Sequence, residues 1–304
     1  TRWARVTRSR QSANQGGNFG RRRGTPLDSV VRMETVAVAG AVFVLSLLGG
    51  FGPRWFAPRL SDGRLHDITG ISAGLLLASA LLVVIPEGFD LATAGQNSGF
   101  TDAPVVLGAA ILAGFSLMLV LEGFGVGHDI HEEHHNHAEG HGHGHVHHPS
   151  SLGVVAAGLS VHAMADGLAI GAAALSGETA FGVLVAVAVV IHRVPAAFSL
   201  GLFALHETVD RGRVALGVIA FALSTPAAIL VTYLVLDEAS DRWIALALLF
   251  SAGTFVYVAT VDTLPAIHNP ETGRRSVAMV VLGALVFAFV FIAIDQALDL
   301  SHSH

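Results

Sequence analysis

His162 and Asp166 stand four residues apart in VHAMADGLAI, and His192 follows in VVIHRVPAAFSLG. On a helix the i, i+4 spacing puts the first two side chains on one face, one turn apart. Imidazole nitrogens and carboxylate oxygens are ligands of divalent metals. Two imidazoles and one carboxylate make an open N/N/O set that leaves one or more positions exchangeable. Such incomplete coordination suits an ion that must leave as well as arrive. The same residues also read as a polar network tying two helices together. A third reading comes from Arg193, beside His192, because a buried arginine demands a partner and Asp166 can serve as one. On a helix, neighbours such as His192 and Arg193 point about 100° apart, so one aspartate can be shared between a metal and the guanidinium. Pro195, three residues after His192, donates no backbone hydrogen bond and loosens the helix there.

These polar residues lie in apolar surroundings. The chain has 304 residues, 52% of them hydrophobic and 13% charged, against about 25% charged in an ordinary soluble domain; its mean hydropathy is +0.62. An ionised aspartate at mid-bilayer costs roughly 2.5–3.5 kcal/mol on insertion scales, so it needs a partner or a polar cavity. Eight apolar segments, at 34–51, 67–91, 103–125, 151–176, 179–206, 214–236, 243–267 and 275–298, are each about long enough to cross a bilayer as a helix. The expected fold is all-α: a polytopic membrane bundle of eight transmembrane helices. Small residues at four-residue spacing, such as Gly167 and Gly171, let helix backbones approach closely in a membrane. Cysteine is absent and every basic residue is arginine, which excludes disulfides, thiolate metal sites, a Walker-type phosphate loop and Schiff-base chemistry.

Arginine placement sets the expected topology. Arg54, Arg59, Arg64, Arg211, Arg213, Arg274 and Arg275 lie in odd-numbered connections, against Arg242 alone on the other side. The positive-inside rule then puts the odd-numbered connections in the cytoplasm and both ends of the bundle outside. Residues 1–32 run against this, with eight arginines, no periodicity and many Gly, Ser and Asn. They read as a disordered segment, and Met33 as a candidate true start that would make them non-native. Segments 33–125 and 151–300 carry helices one to three and four to eight. Between them, 126–150 holds ten of the 17 histidines, interleaved with glycine. That composition binds metal through many redundant ligand pairs rather than one fixed site.

The motifs HAMADG (162–167) and HRVPAA (192–197) resemble the signature helices of the ZIP (Zrt-, Irt-like) metal transporters, which carry HNxxDG and HExPHE-type patterns. The resemblance extends over nearly everything from residue 34 onward: eight helices with both ends outside, IPEG at 85–88, the histidine loop, and SAGTFVYVATVDTLPA in helix seven, similar to the family's AGTFLYVALVDLLPE. Within the family the motifs are most similar to the branch named after the ninth animal member, which shows HNAADG and HKAPAAFG. The resemblance implies a facilitator moving zinc, and often iron or manganese, into the cytosol. Position by position it makes His162, Asp166 and His192 metal ligands. Departures are equally specific. The family's Asn is Ala163, the acid after the helix-five ligand is Arg193, the Glu after its proline is Ala196, and the helix-six Glu before a proline is Thr225. A two-metal site is therefore in doubt, with Arg193 putting a fixed positive charge where a second ion would sit.

The expectation is a secondary transporter with no catalytic residues and no resident cofactor. Its cargo is a divalent cation, zinc first, with Fe, Mn, Cd, Ni or Co also open. Its partners are the lipid bilayer and metal ions, not nucleic acid, and a homodimer is open; the membrane expected is the plasma (inner) membrane. The alternatives are an intramembrane zinc-dependent hydrolase, against which stands the lack of an HExxH pair within the eight apolar segments, and a sensor or receptor that binds metal without conducting it. Glu87 reads as an entrance ligand or an interfacial carboxylate, His206 and Glu207 as an exit station or a solvated helix end; Asp262 has no assigned partner.

Overall fold

The computed structural model describes residues 26–56, 62–93, 104–124, 151–176, 179–207, 210–237, 239–261 and 273–301. These are helical nearly throughout, and eight helices are long and apolar enough to cross a membrane. We number them α1 (Pro26–Phe51), α2 (62–93), α3 (Pro104–Gly123), α4 (Leu152–Leu175), α5 (Thr179–Glu207), α6 (Arg211–Leu236), α7 (Asp241–Val261) and α8 (Gly273–Ser301). All eight apolar segments read from the sequence become spans. The chain is a polytopic membrane helix bundle. α1 starts at Pro26, ahead of the apolar run. Residues 1–25 and the histidine-rich 126–150 lie outside the described residues.

Burial separates central from peripheral helices. In α2, α4 and α7, 61–67% of the spanning window is buried, whereas α3 and α8 bury 17% and present the rest outward. Exposed Leu112, Leu119, Leu285 and Phe289 are what lipid, rather than water, would solvate. Without a hydrophobic drive between helices in lipid, small residues decide which backbones touch. A Cβ on Gly167 would meet the Ala228 Cβ at 2.6 Å, and one on Gly171 the Thr232 Cβ at 2.7 Å, so the four-residue glycine spacing seats α4 against α6. Gly114 and Gly253 lock α3 to α7 in the same way, each facing the other helix's backbone. Tyr257 Oη donates to Glu122 Oε2 at 2.5 Å and closes that pair near one end.

α2 is not continuous α-helix. Residues Ala80–Val84 form a π-helical turn, with the Ile85 N–H bonding back to the Ala80 carbonyl. Pro86 follows at once and has no N–H to give; the wider turn absorbs that gap ahead of Glu87.

Along α4, α5, α6 and α7 the buried side chains fall into two apolar clusters. One contains Leu152, Leu159, Ala197, Leu200, Val214 and Phe221. The other contains Ala169, Ile170, Val185, Val189, Ile229 and Phe255. Between them, near the middle of α4, α5 and α6, the apolar sequence is broken by His162 and Asp166, by His192 and Arg193, and by Thr225.

Candidate metal site in the bundle interior

α4 delivers His162 and Asp166, and α5 delivers His192. All three are buried, at 1%, 0% and 6% exposure. His162 Nε2 lies 3.6 Å from Asp166 Oδ1, and His192 Nε2 lies 3.4 Å from Asp166 Oδ2. The two imidazole rings are tilted against each other with centroids 5.7 Å apart. One ligand atom from each residue can be chosen so that all lie within 4.8 Å of one another. Zinc bonds N and O ligands at about 2.0–2.2 Å, which makes tetrahedral edges about 3.4 Å long. The two imidazole–carboxylate separations are close to that edge, each to a different oxygen of Asp166. Among the described residues this is the one group of three or more His, Asp or Glu side chains so arranged.

The hydrogen bonding around His192 fixes what it offers. Its Nδ1 lies 3.0 Å from the Ala188 carbonyl, which can only accept, so Nδ1 carries a proton and Nε2 is the nitrogen turned to Asp166. An outer bond of this kind orients a metal-ligating imidazole. Asp166 Oδ1 and His192 Nε2 are buried and make no hydrogen bond. Buried polar atoms are ordinarily satisfied, and each exception asks for an explanation. Here the unsatisfied atoms converge on one point, and an ion placed there would satisfy both. Phe255 of α7 closes that side, its ring edge-on to His192 at 6.1 Å.

Arg193 shares Oδ2 of the carboxylate with His192. Its Nη1 lies 3.4 Å from Asp166 Oδ2, its Nε donates to Ser46 Oγ of α1 at 3.1 Å, and its Nη2 donates to the Phe221 carbonyl of α6 at 2.7 Å. The guanidinium carbon sits 3.7 Å from the Phe221 ring centroid, in the range of a cation–π contact. Metal-type geometry and the Arg193 counter-ion are thus present together on one aspartate, with His192 and Arg193 both reaching Oδ2. The 100° offset between His192 and Arg193 is what allows it.

The departures from the family motif also find physical roles. Thr225 Oγ1 donates to the carbonyl of Ala163 at 2.7 Å. Two positions that lack the family's polar residues are thereby joined by a hydrogen bond between α6 and α4. Ser251 of α7 donates to the Ala165 carbonyl at 3.1 Å, so α4 is held from two sides beside its ligands. Sequence reasoning missed Ser46, Phe221 and Ser251, since a serine or phenylalanine in an apolar helix carries no signal of its own. Glu87 is half-buried and is not drawn into the three-residue group. The side chains of His206 and Glu207, and Asp262 altogether, lie outside what the structure describes.

The family model described as ZIP Zinc transporter matches residues 126–291. Zinc transporter ZIP9 of Xenopus tropicalis is 32% identical over 293 residues, covering 82% of this chain and 91% of the relative. Zinc transporter ZIP9 of Micropogonias undulatus is 33% identical over 295 residues, covering 82% and 92%. Zinc transporter ZIP4 of Mus musculus is 37% identical over 124 residues, which span 40% of this chain and 18% of that longer protein. With its eight spans, its interior His/Asp group and a family match over more than half its length, the chain belongs to the ZIP zinc transporter family.

Proposed function

We propose that this protein moves divalent metal, zinc first, into the cytosol, and that the ion passes through a single site made by His162, Asp166 and His192. The observation that carries the reading is the convergence of two imidazoles on a carboxylate in a dry layer between two apolar clusters, with Asp166 Oδ1 and His192 Nε2 making no hydrogen bond. Three protein ligands leave coordination positions free, which allows an ion to be exchanged. The relatives' name, zinc transporter, supports zinc as cargo. No resident cofactor and no bond-making step are needed.

Direction follows from charge. The seven-to-one arginine count favours odd-numbered connections in the cytoplasm and both ends outside, in a plasma or inner membrane. There the potential supplies about 2.3 kcal/mol per charge per 100 mV, hence about 4.6 kcal/mol of inward drive on a divalent cation. Chelation by the histidine-rich 126–150 on the cytosolic side would add to it. Uptake of Zn2+ into liposomes containing the purified protein tests the function: His162→Ala or His192→Ala should bring uptake to background while the helical bundle stays folded. A competition series with Fe, Mn, Cd, Ni and Co ranks the cargo. For orientation, cysteines introduced at Ser98 and Ser303 should label from outside intact cells and one at Ser150 should not; the reverse pattern overturns the direction.

A further inference from the structure

Arg193 is the largest fully buried side chain among the described residues, and with Asp166 it makes up all of their buried Asp, Glu, Lys and Arg. A guanidinium is in practice a permanent cation. Its other contacts are a hydroxyl on α1, a carbonyl on α6 and an aromatic face, none of them anionic. The permanent charges of this interior layer are therefore carried by two groups of opposite sign.

We propose that Arg193 sets the charge of the ion site: it balances Asp166 when no metal is bound and remains in place when metal binds, so that a divalent ion is held weakly enough to leave. The inference rests on the ion-site reading above. Arg193 can release its share of Asp166 without moving, because Ser46, the Phe221 carbonyl and the Phe221 ring continue to hold it. Its bond to the carboxylate, at 3.4 Å, is also the longest of its three hydrogen bonds. An ion arriving between His162, His192 and Asp166 meets permanent charges of opposite sign and leaves its full double charge beside a resident cation. Like charges sharing one carboxylate in a low-dielectric interior repel strongly. That repulsion offsets part of the ligand attraction, and it disfavours a second ion on the Arg193 side.

Two variants shift the charge in the same direction by opposite structural means. Arg193→Met removes the cation and the ties to α1 and α6. Ser46→Asp keeps the guanidinium and strengthens its hold on α1, while adding a negative charge behind it. The full-length protein, with the ten loop histidines replaced by serine, would be titrated calorimetrically with Zn2+ in detergent. Both variants should bind Zn2+ more tightly, on the order of ten-fold or more, and should transport with a lower KM and a lower maximal rate. Arg193→Lys keeps a cation but loses the guanidinium fork and the stacking on Phe221, so it should tighten binding less than Arg193→Met. If Arg193 were only a clamp between helices, Arg193→Met would loosen binding and Ser46→Asp would not tighten it, and the proposal is overturned. Should Arg193→Met fail to fold, Ser46→Asp decides alone. Zinc binding that persists in His162→Ala/His192→Ala would instead overturn the site reading, a result distinct from loss of the charge effect.

Discussion

On the side of α5 that faces α1 and α6, Arg193 has its guanidinium edge on Ser46 and the Phe221 carbonyl and its face on the Phe221 ring. On the side that faces His162 and Phe255, His192 bonds the Ala188 carbonyl through Nδ1 but leaves Nε2 without a hydrogen bond, as is Asp166 Oδ1 opposite. The two regions are one residue apart, both buried and built on the same helices. A chain able to solvate an arginine so completely at one position has the means to satisfy an imidazole at the next. Leaving that imidazole open costs stability, and an exchangeable ligand is the physical reason that accounts for the expense. One region is closed and structural, the other open and poised for an ion.

The comparison breaks most sharply at Asp166, the one residue that serves both regions. Asp166→Asn should bring uptake to background and also leave Arg193 buried without its anion, at a cost of about 3–5 kcal/mol in the stability of the bundle. Asp166→Asn/Arg193→Met should recover much of that stability and none of the uptake. Thermal unfolding in detergent and liposome uptake, measured on both variants, separate the two roles. If the double variant is no more stable than the single one, the closed region is not the ion-paired structure described.

A smaller effect is expected at Thr225, which belongs to the closed framework alone. Thr225→Val removes its bond to the Ala163 carbonyl, and interhelical hydrogen bonds in membranes are worth about 0.6 kcal/mol and rarely above about 1.7. Stability should fall by about that much and zinc affinity should move less than about three-fold, since no ligand is touched. A loss of affinity as large as that of His162→Ala would mean that Thr225 belongs to the open region. Smallest of all should be the change in uptake when the ten histidines of 126–150 become serine. Their ligands are redundant and outside the spans, so transport should stay measurable while total bound zinc falls.

The open region was legible in the sequence and the closed one mostly was not. His162, Asp166 and His192 announce themselves because histidine and aspartate are costly in apolar helices, and because the i, i+4 spacing already puts two of them on one face. Arg193 announces itself for the same reason. Its partners do not: Ser46 is 147 positions away in sequence, and the Phe221 carbonyl is a backbone group that every residue possesses. Thr225 and Ala163 could be noticed only as departures from a motif; that they bond to each other depends on how α6 sits on α4. The bundle itself was readable from hydropathy, and the Gly167/Gly171 spacing marked a close approach without naming α6 as its partner. The π-helical turn at Ala80–Val84, just ahead of Pro86, was not read from the sequence.

The central claim is that one divalent ion is held by His162, Asp166 and His192. Its most direct test is the zinc stoichiometry of the full-length protein with its ten loop histidines replaced by serine, compared with the same protein carrying His162→Ala/His192→Ala. The account predicts one exchangeable Zn2+ per chain in the first, none in the second, and uptake at background in the second. Two interior ions in the first, or undiminished zinc binding and uptake in the second, would contradict it.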